Sequence, residues 1–268
     1  TGVRSKSTEL ILIILKEYVK WCGRNGYEVS NGIYDVRVIT IDKIQKQMVA
    51  SPLHLKLKLD EFFDETEKET VDITYRVFLW MAFAGLEDQD AIRVTRDCVD
   101  LEHLCIYFEG HKYEIYKDAI DDFEKACSLT SFQYHHPNYT IRRDRAEGNN
   151  IMRGFRSPTV DLKTIRPIIN KRFAAKDAKN DSKEKKDRQT SRISYRRIYL
   201  SGVFYREYEQ ERAGFPVDFS AFVAESVARK EKTKKYTVTK TRTLNTITNT
   251  LEREYFADYE KWKCAFAM

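Results

Sequence analysis

Val77-Phe78-Leu79-Trp80-Met81-Ala82-Phe83-Ala84-Gly85-Leu86-Glu87-Asp88-Gln89-Asp90-Ala91-Ile92 is the stretch whose reading decides the fold. From Val77 to Ala84 every residue is apolar, so a helix here has no polar face and must be buried on nearly all sides. Gly85 ends it, because glycine takes the left-handed conformation at a helix C-terminus without a Cβ penalty. A short second helix is expected from Asp88, its carboxylate accepting from unpaired N–H groups of the first turn. Past Val99-Asp100-Leu101, the segments Leu104 to Phe108 and His111 to Tyr116 read as a hairpin turning at Glu109-Gly110.

The flanks read mainly as helices. Ser7 or Thr8 caps a first helix that Gly23 and Gly26 end, and residues 27–50 read as a linker with one short strand or turn from Val36 to Ile41. Ser51-Pro52 is a cap followed by proline at the first helical position, with Leu53, Leu57, Leu59, Phe62 and Phe63 expected on the buried face. Asp118 to Cys127 is amphipathic, residues 129–160 read as extended chain, and Asp161 caps a helix in which Pro167 predicts a kink or a later start. Residues 174–191 have no apolar period and are expected to be a flexible basic loop. An aromatic helix follows from about Arg192 to the Gly214-Phe215-Pro216 stop, then helices over 220–230 and from Thr241 to Phe266.

Charge is divided along the chain. Residues 1–138 carry 17 basic against 24 acidic side chains, a net of −7; residues 139–242 carry 27 against 13, a net of +14; residues 243–268 carry 3 against 4. The overall +6 therefore hides an acidic front and a strongly basic back, which points to a polyanion partner met through one face. No apolar run is long enough for a membrane span. The five cysteines are scattered, so reduced thiols in a cytoplasmic protein are expected. His135 and His136 are adjacent on extended chain and point apart, so no metal is expected. The first residue is Thr1 rather than methionine, and further sequence upstream is expected.

Helix, glycine stop, short helix, Val-Asp-Leu and two-stranded ribbon together resemble the start of the catalytic domain of tyrosine recombinases, the phage integrase family. Glu17-Tyr18-Val19-Lys20-Trp21-Cys22 resembles the last helix of the core-binding domain that precedes it in many integrases. The resemblance implies a mainly α fold with a small β-ribbon (α+β). Residues 1–45 would be the end of a helical core-binding domain and its linker, and residues 46–268 a recombinase-like DNA-binding domain.

In that family a tyrosine attacks the DNA phosphodiester while two arginines hold its non-bridging oxygens. A lysine on a β-turn protonates the leaving hydroxyl, and two His or Trp positions assist. Charge building on the phosphorus must meet fixed positive groups. The family pattern Leu-x-x-x-x-Gly-Leu-Arg places its first arginine on Glu87 here. Lys112 stands at the lysine position. Ser194-Tyr195-Arg196-Arg197 resembles the His-x-x-Arg box, keeping Arg197 and losing the histidine, and no Gly-His counterpart follows between Phe215 and Thr250. Tyr255 and Tyr259 are the tyrosines available, with core packing the preferred reading of both. Losing one anion-stabilising donor costs about 10²–10³ in rate, and a reversed charge more.

The resemblance therefore implies a DNA-binding regulator that has lost strand cleavage, similar to the recombinase-like repressors of SPβ-type Bacillus phages, acting at the nucleoid of a bacterial host. No residue is expected to be catalytic. Glu87 is expected to pair with Arg197. Positions expected to meet DNA are Lys112, Arg142, Arg143, Arg153, Arg156, Lys185, Lys186, Arg192, Arg196, Arg197, Lys232, Lys234, Lys235, Lys240 and Arg242. Expected partners are double-stranded DNA, a second copy on DNA, and a regulatory protein or peptide, with no cofactor. Two other readings stay open: an active recombinase with unusual catalytic residues, and an interaction module whose basic loop binds an acidic protein.

Overall fold

Every residue of α4 (Asp72–Ala84) is buried except the half-buried Tyr75, as an all-apolar helix requires. The computed structural model describes residues 5–27, 41–63, 72–136, 138–180, 193–232 and 241–266, and around α4 these form a mainly helical α+β fold with two small antiparallel sheets. Gly85 ends α4 with φ +104°. Its N–H donates to Ala82 O at 3.0 Å and the Leu86 N–H to Met81 O at 2.9 Å, the paired bonds of a Schellman stop.

Against α4 lies α8 (Tyr195–Arg212), capped by Ser194, whose hydroxyl accepts from the Arg197 N–H. The two backbones nearly touch. A Cβ on Gly202 would lie 1.8 Å from Phe83 O, so only glycine fits there. Arg206 reaches back over the stop and donates from Nη1 to the same Phe83 carbonyl at 2.7 Å, and the Tyr195 hydroxyl donates to Leu86 O at 2.8 Å. The first satisfies a carbonyl that the end of α4 leaves without an intrahelical partner, the second a carbonyl in the turn between α4 and α5.

The other face of α4 is held by a buried polar network. Arg76 Nε lies 3.0 Å from both Asp122 oxygens, Arg76 Nη2 donates to Asp60 at 2.7 Å, and Trp80 Nε1 donates to Asp122 at 2.8 Å. That joins α4 to α3 (Pro52–Phe62) and α6 (Ile120–Ser128). Asp72 accepts from Arg172 of α7 (Leu162–Asn180) at 3.1 Å. Further along the chain, α10 (Thr241–Phe266) packs on α9 (Ser220–Lys232) and on α2 (Ile41–Gln47). Trp262 Nε1 donates to Val49 O at 3.0 Å, and the Val49 N–H donates to Ser201 Oγ at 3.1 Å, which ties α10, α8 and the chain after α2 together. The division expected between residues 45 and 46 falls inside α2.

After α4 come α5 (Asp88–Ala91) and a three-stranded antiparallel sheet of β1 (Val99–Asp100), β2 (Cys105–Phe108) and β3 (His111–Glu114). The β2–β3 turn has positive φ at Glu109 and at Gly110, as a two-residue hairpin connection demands. A second hairpin, β4 (Ser131–His136) and β5 (Tyr139–Asp144), occupies part of the expected extended region. The first helix, α1, spans Ser5–Arg24. Among the described residues no helix is long and apolar enough to cross a membrane.

Four local expectations are corrected. Leu53 and Leu57 are 56% and 59% exposed, and Leu55 is buried in their place, while Leu59 and Phe63 are buried as expected, because α3 meets the core through the face that carries Leu55 and Leu59. Part of the expected linker, residues 41–47, is helix α2, whose Ile44 lies in the core. Residues 174–180 of the expected flexible loop continue α7, and Pro167 sits inside that helix rather than starting it. Finally, Glu87 is the N-cap of α5 without a side-chain cap, and the Asp88 carboxylate accepts from Arg166 Nε at 2.8 Å. The expected strand or turn from Val36 to Ile41, apart from Ile41, and the part of the loop from 181 to 191 lie outside the described residues.

Two measurements test this architecture. Gly202→Ala should lower unfolding stability by roughly 3 kcal/mol, since a helix-on-helix contact has no flexible atom to give way; a denaturation midpoint within error of the parent would reject the close contact. His54 supplies a pH test. Its Nδ1 accepts from the Ala50 N–H at 3.2 Å, and burial, then Lys58, hold its pKa below the ordinary histidine value. The unfolded chain therefore takes up the proton first, and this contribution is complete above about pH 6.5 and lost as pH falls below it. His54→Gln, which keeps an acceptor but does not titrate, should flatten the thermal-midpoint curve there; parallel curves would reject the role.

Candidate nucleic-acid interface

The glycine stop of α4 sets Glu87 opposite the first turn of α8. There Arg196 lies between three groups. Its Nη1 approaches Glu87 Oε1 at 3.4 Å, its Nη2 donates to the Tyr255 hydroxyl at 3.2 Å, and its guanidinium lies over the Tyr199 ring at 4.9 Å. This corrects the expected Glu87–Arg197 pair. Neighbouring residues on a helix point about 100° apart, and the phase of α8 turns Arg196 toward Glu87. Arg197 is half-buried and has no ion pair among the described residues. Both partners in the Glu87–Arg196 pair are partly open to solvent, so it contributes about 0–1 kcal/mol.

The two tyrosines have different settings. Tyr255 is half-buried, packed edge-on to Phe222 at 4.9 Å and tilted to Phe219, and its hydroxyl accepts from Arg196. Tyr259 is fully buried among Phe204, Phe219 and Trp262, and its hydroxyl donates to Glu211 at 2.6 Å. Lys263 Nζ donates to the same carboxylate at 2.9 and 3.0 Å. Burial first, then Glu211, pushes the Tyr259 phenol well up, while Tyr259 and then Lys263 hold the Glu211 carboxyl below its ordinary range. A phenol so placed keeps its proton and is a poor attacking oxygen.

The remaining candidates scatter. Arg142 and Arg143 are exposed on β5, with Arg143 over the Phe155 ring at 5.5 Å, and Arg156 is exposed nearby in sequence. Lys112 is exposed on β3 and lines a cleft of about 540 Å³ with Pro52, His103 and Lys117; neither Glu87, Arg196 nor Tyr255 lines that cleft. The expected surface position of Arg153 is corrected. It is 7% exposed, and its guanidinium donates to the carbonyls of Gly148 and Leu129 (the latter at 3.1 Å), because a buried cation must find acceptors. Lys185, Lys186, Arg192, Lys234, Lys235 and Lys240 lie outside the described residues, as do the side chains of Lys232 and Arg242.

Sequence reasoning missed Arg166, Arg206 and the joint role of Arg96 and Arg145. Each acts across long sequence separations or on backbone carbonyls, and neither leaves a local motif. Among the described residues no three His, Cys, Asp or Glu side chains are grouped to hold a metal, and all five cysteines are free thiols.

Tyr259→Phe should lower stability by roughly 1.5–3 kcal/mol, the range for a hydrogen bond to a charged group. Equal denaturation midpoints for variant and parent would reject the Tyr259–Glu211 bond. No protein-family model matches the chain and no curated protein matches it, so the functional argument rests on this geometry.

Proposed function

We propose that this protein is a DNA-binding regulator on a tyrosine-recombinase-like frame that does not cut DNA, acting in the bacterial cytoplasm at the nucleoid. One observation carries the reading. Where the resemblance asks for the first phosphate-holding arginine there is Glu87, and its carboxylate engages Arg196, a cation that phosphate would otherwise draw. The setting of Tyr259 supports the same conclusion, since its hydroxyl is committed to Glu211.

Binding needs less than cleavage does. Exposed cations gain affinity by releasing counterions from the phosphate backbone, whatever the bases. Arg142, Arg143, Arg156 and Lys112 are exposed, and the basic runs at 183–192 and 229–235 add charge to the half of the sequence that holds the three arginines. The alternative, an active recombinase, is favoured by one contact: Arg196 Nη2 on the Tyr255 hydroxyl brings a guanidinium to a half-buried phenol.

The two readings separate on a nicked suicide duplex. The expected result is retarded DNA and no covalent adduct on a denaturing gel; an adduct lost in Tyr255→Phe would overturn the regulator reading. Glu87→Gln should free Arg196, tighten duplex binding and steepen the salt dependence by about 0.9, one phosphate contact. An unchanged slope would place the DNA elsewhere, and no measurable binding of any duplex at low salt would favour the interaction module.

A further inference from the structure

Three guanidinium groups meet at the base of the β4–β5 hairpin without a carboxylate partner among the described residues. Arg145 and Arg153 both donate to Leu129 O, at 3.3 and 3.1 Å. Arg96 and Arg153 both donate to Gly148 O, Arg96 at 3.1 Å. Arg145 also donates to Arg153 O at 3.2 Å and to Ile151 O. Arg96 completes its set with Asn149 Oδ1 at 3.2 Å and Cys127 O at 3.5 Å. The carboxylate tied into this network, Asp97, reaches it only through the Asn149 amide.

Carbonyl oxygens satisfy hydrogen bonds but carry no formal charge. Here they leave three like charges uncompensated in a largely dry place, which is unfavourable unless a counter-charge arrives. Arg145 and Arg153 are each 7% exposed, and the Nε of each is buried with no acceptor. The Arg145 guanidinium is pulled down to about 10, by burial first and then by Arg153 and Arg96. Cys127 supplies no counter-charge, because burial pushes its thiol up against the pull of Arg96 and Arg145.

The cluster is open on one side. The Arg96–Gly148 bond lies at the surface, and Glu147 and Gly148 are exposed. The Gly148 carbonyl receives two guanidiniums there, the arrangement in which arginine forks hold a phosphate oxygen. We propose that Arg96, Arg145 and Arg153 form a phosphate-binding site, entered past Arg96, in which the Gly148 carbonyl gives way to a phosphate oxygen. The shared chemistry is a phosphate group, whether on a nucleic-acid backbone or free in solution, and the site stands independently of the regulator reading.

The first test needs only the parent protein: thermal midpoints in inorganic phosphate and in sodium chloride of matched ionic strength. Phosphate at about tenfold its Kd should raise the midpoint by roughly 3–6 °C, saturably. Arg96→Gln, at the half-exposed edge, should lose this increment, while Arg212→Gln at the exposed end of α8 should keep it. Equal midpoints in the two salts, or an increment that survives Arg96→Gln, would overturn the proposal. The source is then read from a labelled duplex at constant ionic strength. Phosphate that lowers duplex affinity several-fold in the parent, but not in Arg96→Gln, assigns the site to backbone phosphate. Phosphate that stabilises the protein without touching duplex affinity, or with no duplex bound at all, assigns it to a free phosphate compound.

Discussion

The contact between Gly202 and the Phe83 carbonyl is the constraint on which most of this structure depends. Two helices can cross this closely only where one has no side chain, and everything near the crossing follows from that distance. It brings Arg206 within reach of the carbonyl left over at the end of α4, and Tyr195 within reach of Leu86. It also sets the first turn of α8 beside Glu87, so the candidate interface is a consequence of backbone packing rather than of any attraction between charges. A partly exposed ion pair is too weak to place two helices.

Polar groups inside the protein are used as struts. Asp122 takes Arg76 and Trp80, Asp72 takes Arg172, and Glu211 takes Tyr259 and Lys263. Asp122 and Asp72 thereby give part of the acidic front half a structural use. In the network round Arg76 burial alone would lower the guanidinium's pKa, yet Asp122 and Asp60 outweigh it and raise it. The cluster of Arg96, Arg145 and Arg153 differs in having carbonyls where those networks have carboxylates. That difference, more than the number of arginines, sets it apart as a place for an anion.

Aromatic packing explains why the tyrosines near the C-terminus diverge. Phe204 and Phe219 meet Tyr259, and Phe204 meets Trp262, on the inner side of α10, while Tyr255, one turn earlier, meets Phe219 and Phe222 toward its edge. Four residues on a helix share a face but not a depth. One hydroxyl is thereby committed to an internal carboxylate and the other to a half-exposed arginine.

Much of the secondary structure was legible in the chain. The buried central helix followed from an unbroken apolar run, its end from Gly85, the β2–β3 hairpin from alternation around Glu109-Gly110, and the start of α3 from Ser51-Pro52. These are local signals, carried by backbone preference and side-chain period. In α3 Leu59 and Phe63 were placed correctly but Leu53 and Leu57 were not, because Leu53, Leu55, Leu57 and Leu59 alternate and only contact with neighbouring helices selects which of them is buried. The partner of Glu87 was misjudged by one residue for the same reason: the arginine a carboxylate meets depends on the rotation of a helix more than a hundred residues away. Burial of Arg153, and its meeting with Arg96 and Arg145, depended on loops folding back over long separations. Sequence by itself determined the central helix with its glycine stop, the β2–β3 turn and the start of α3, since those are decided within a few residues, but not α2 or the end of α7. Tertiary structure alone decided which charges meet, because that is set by how closely and at what rotation the helices pack.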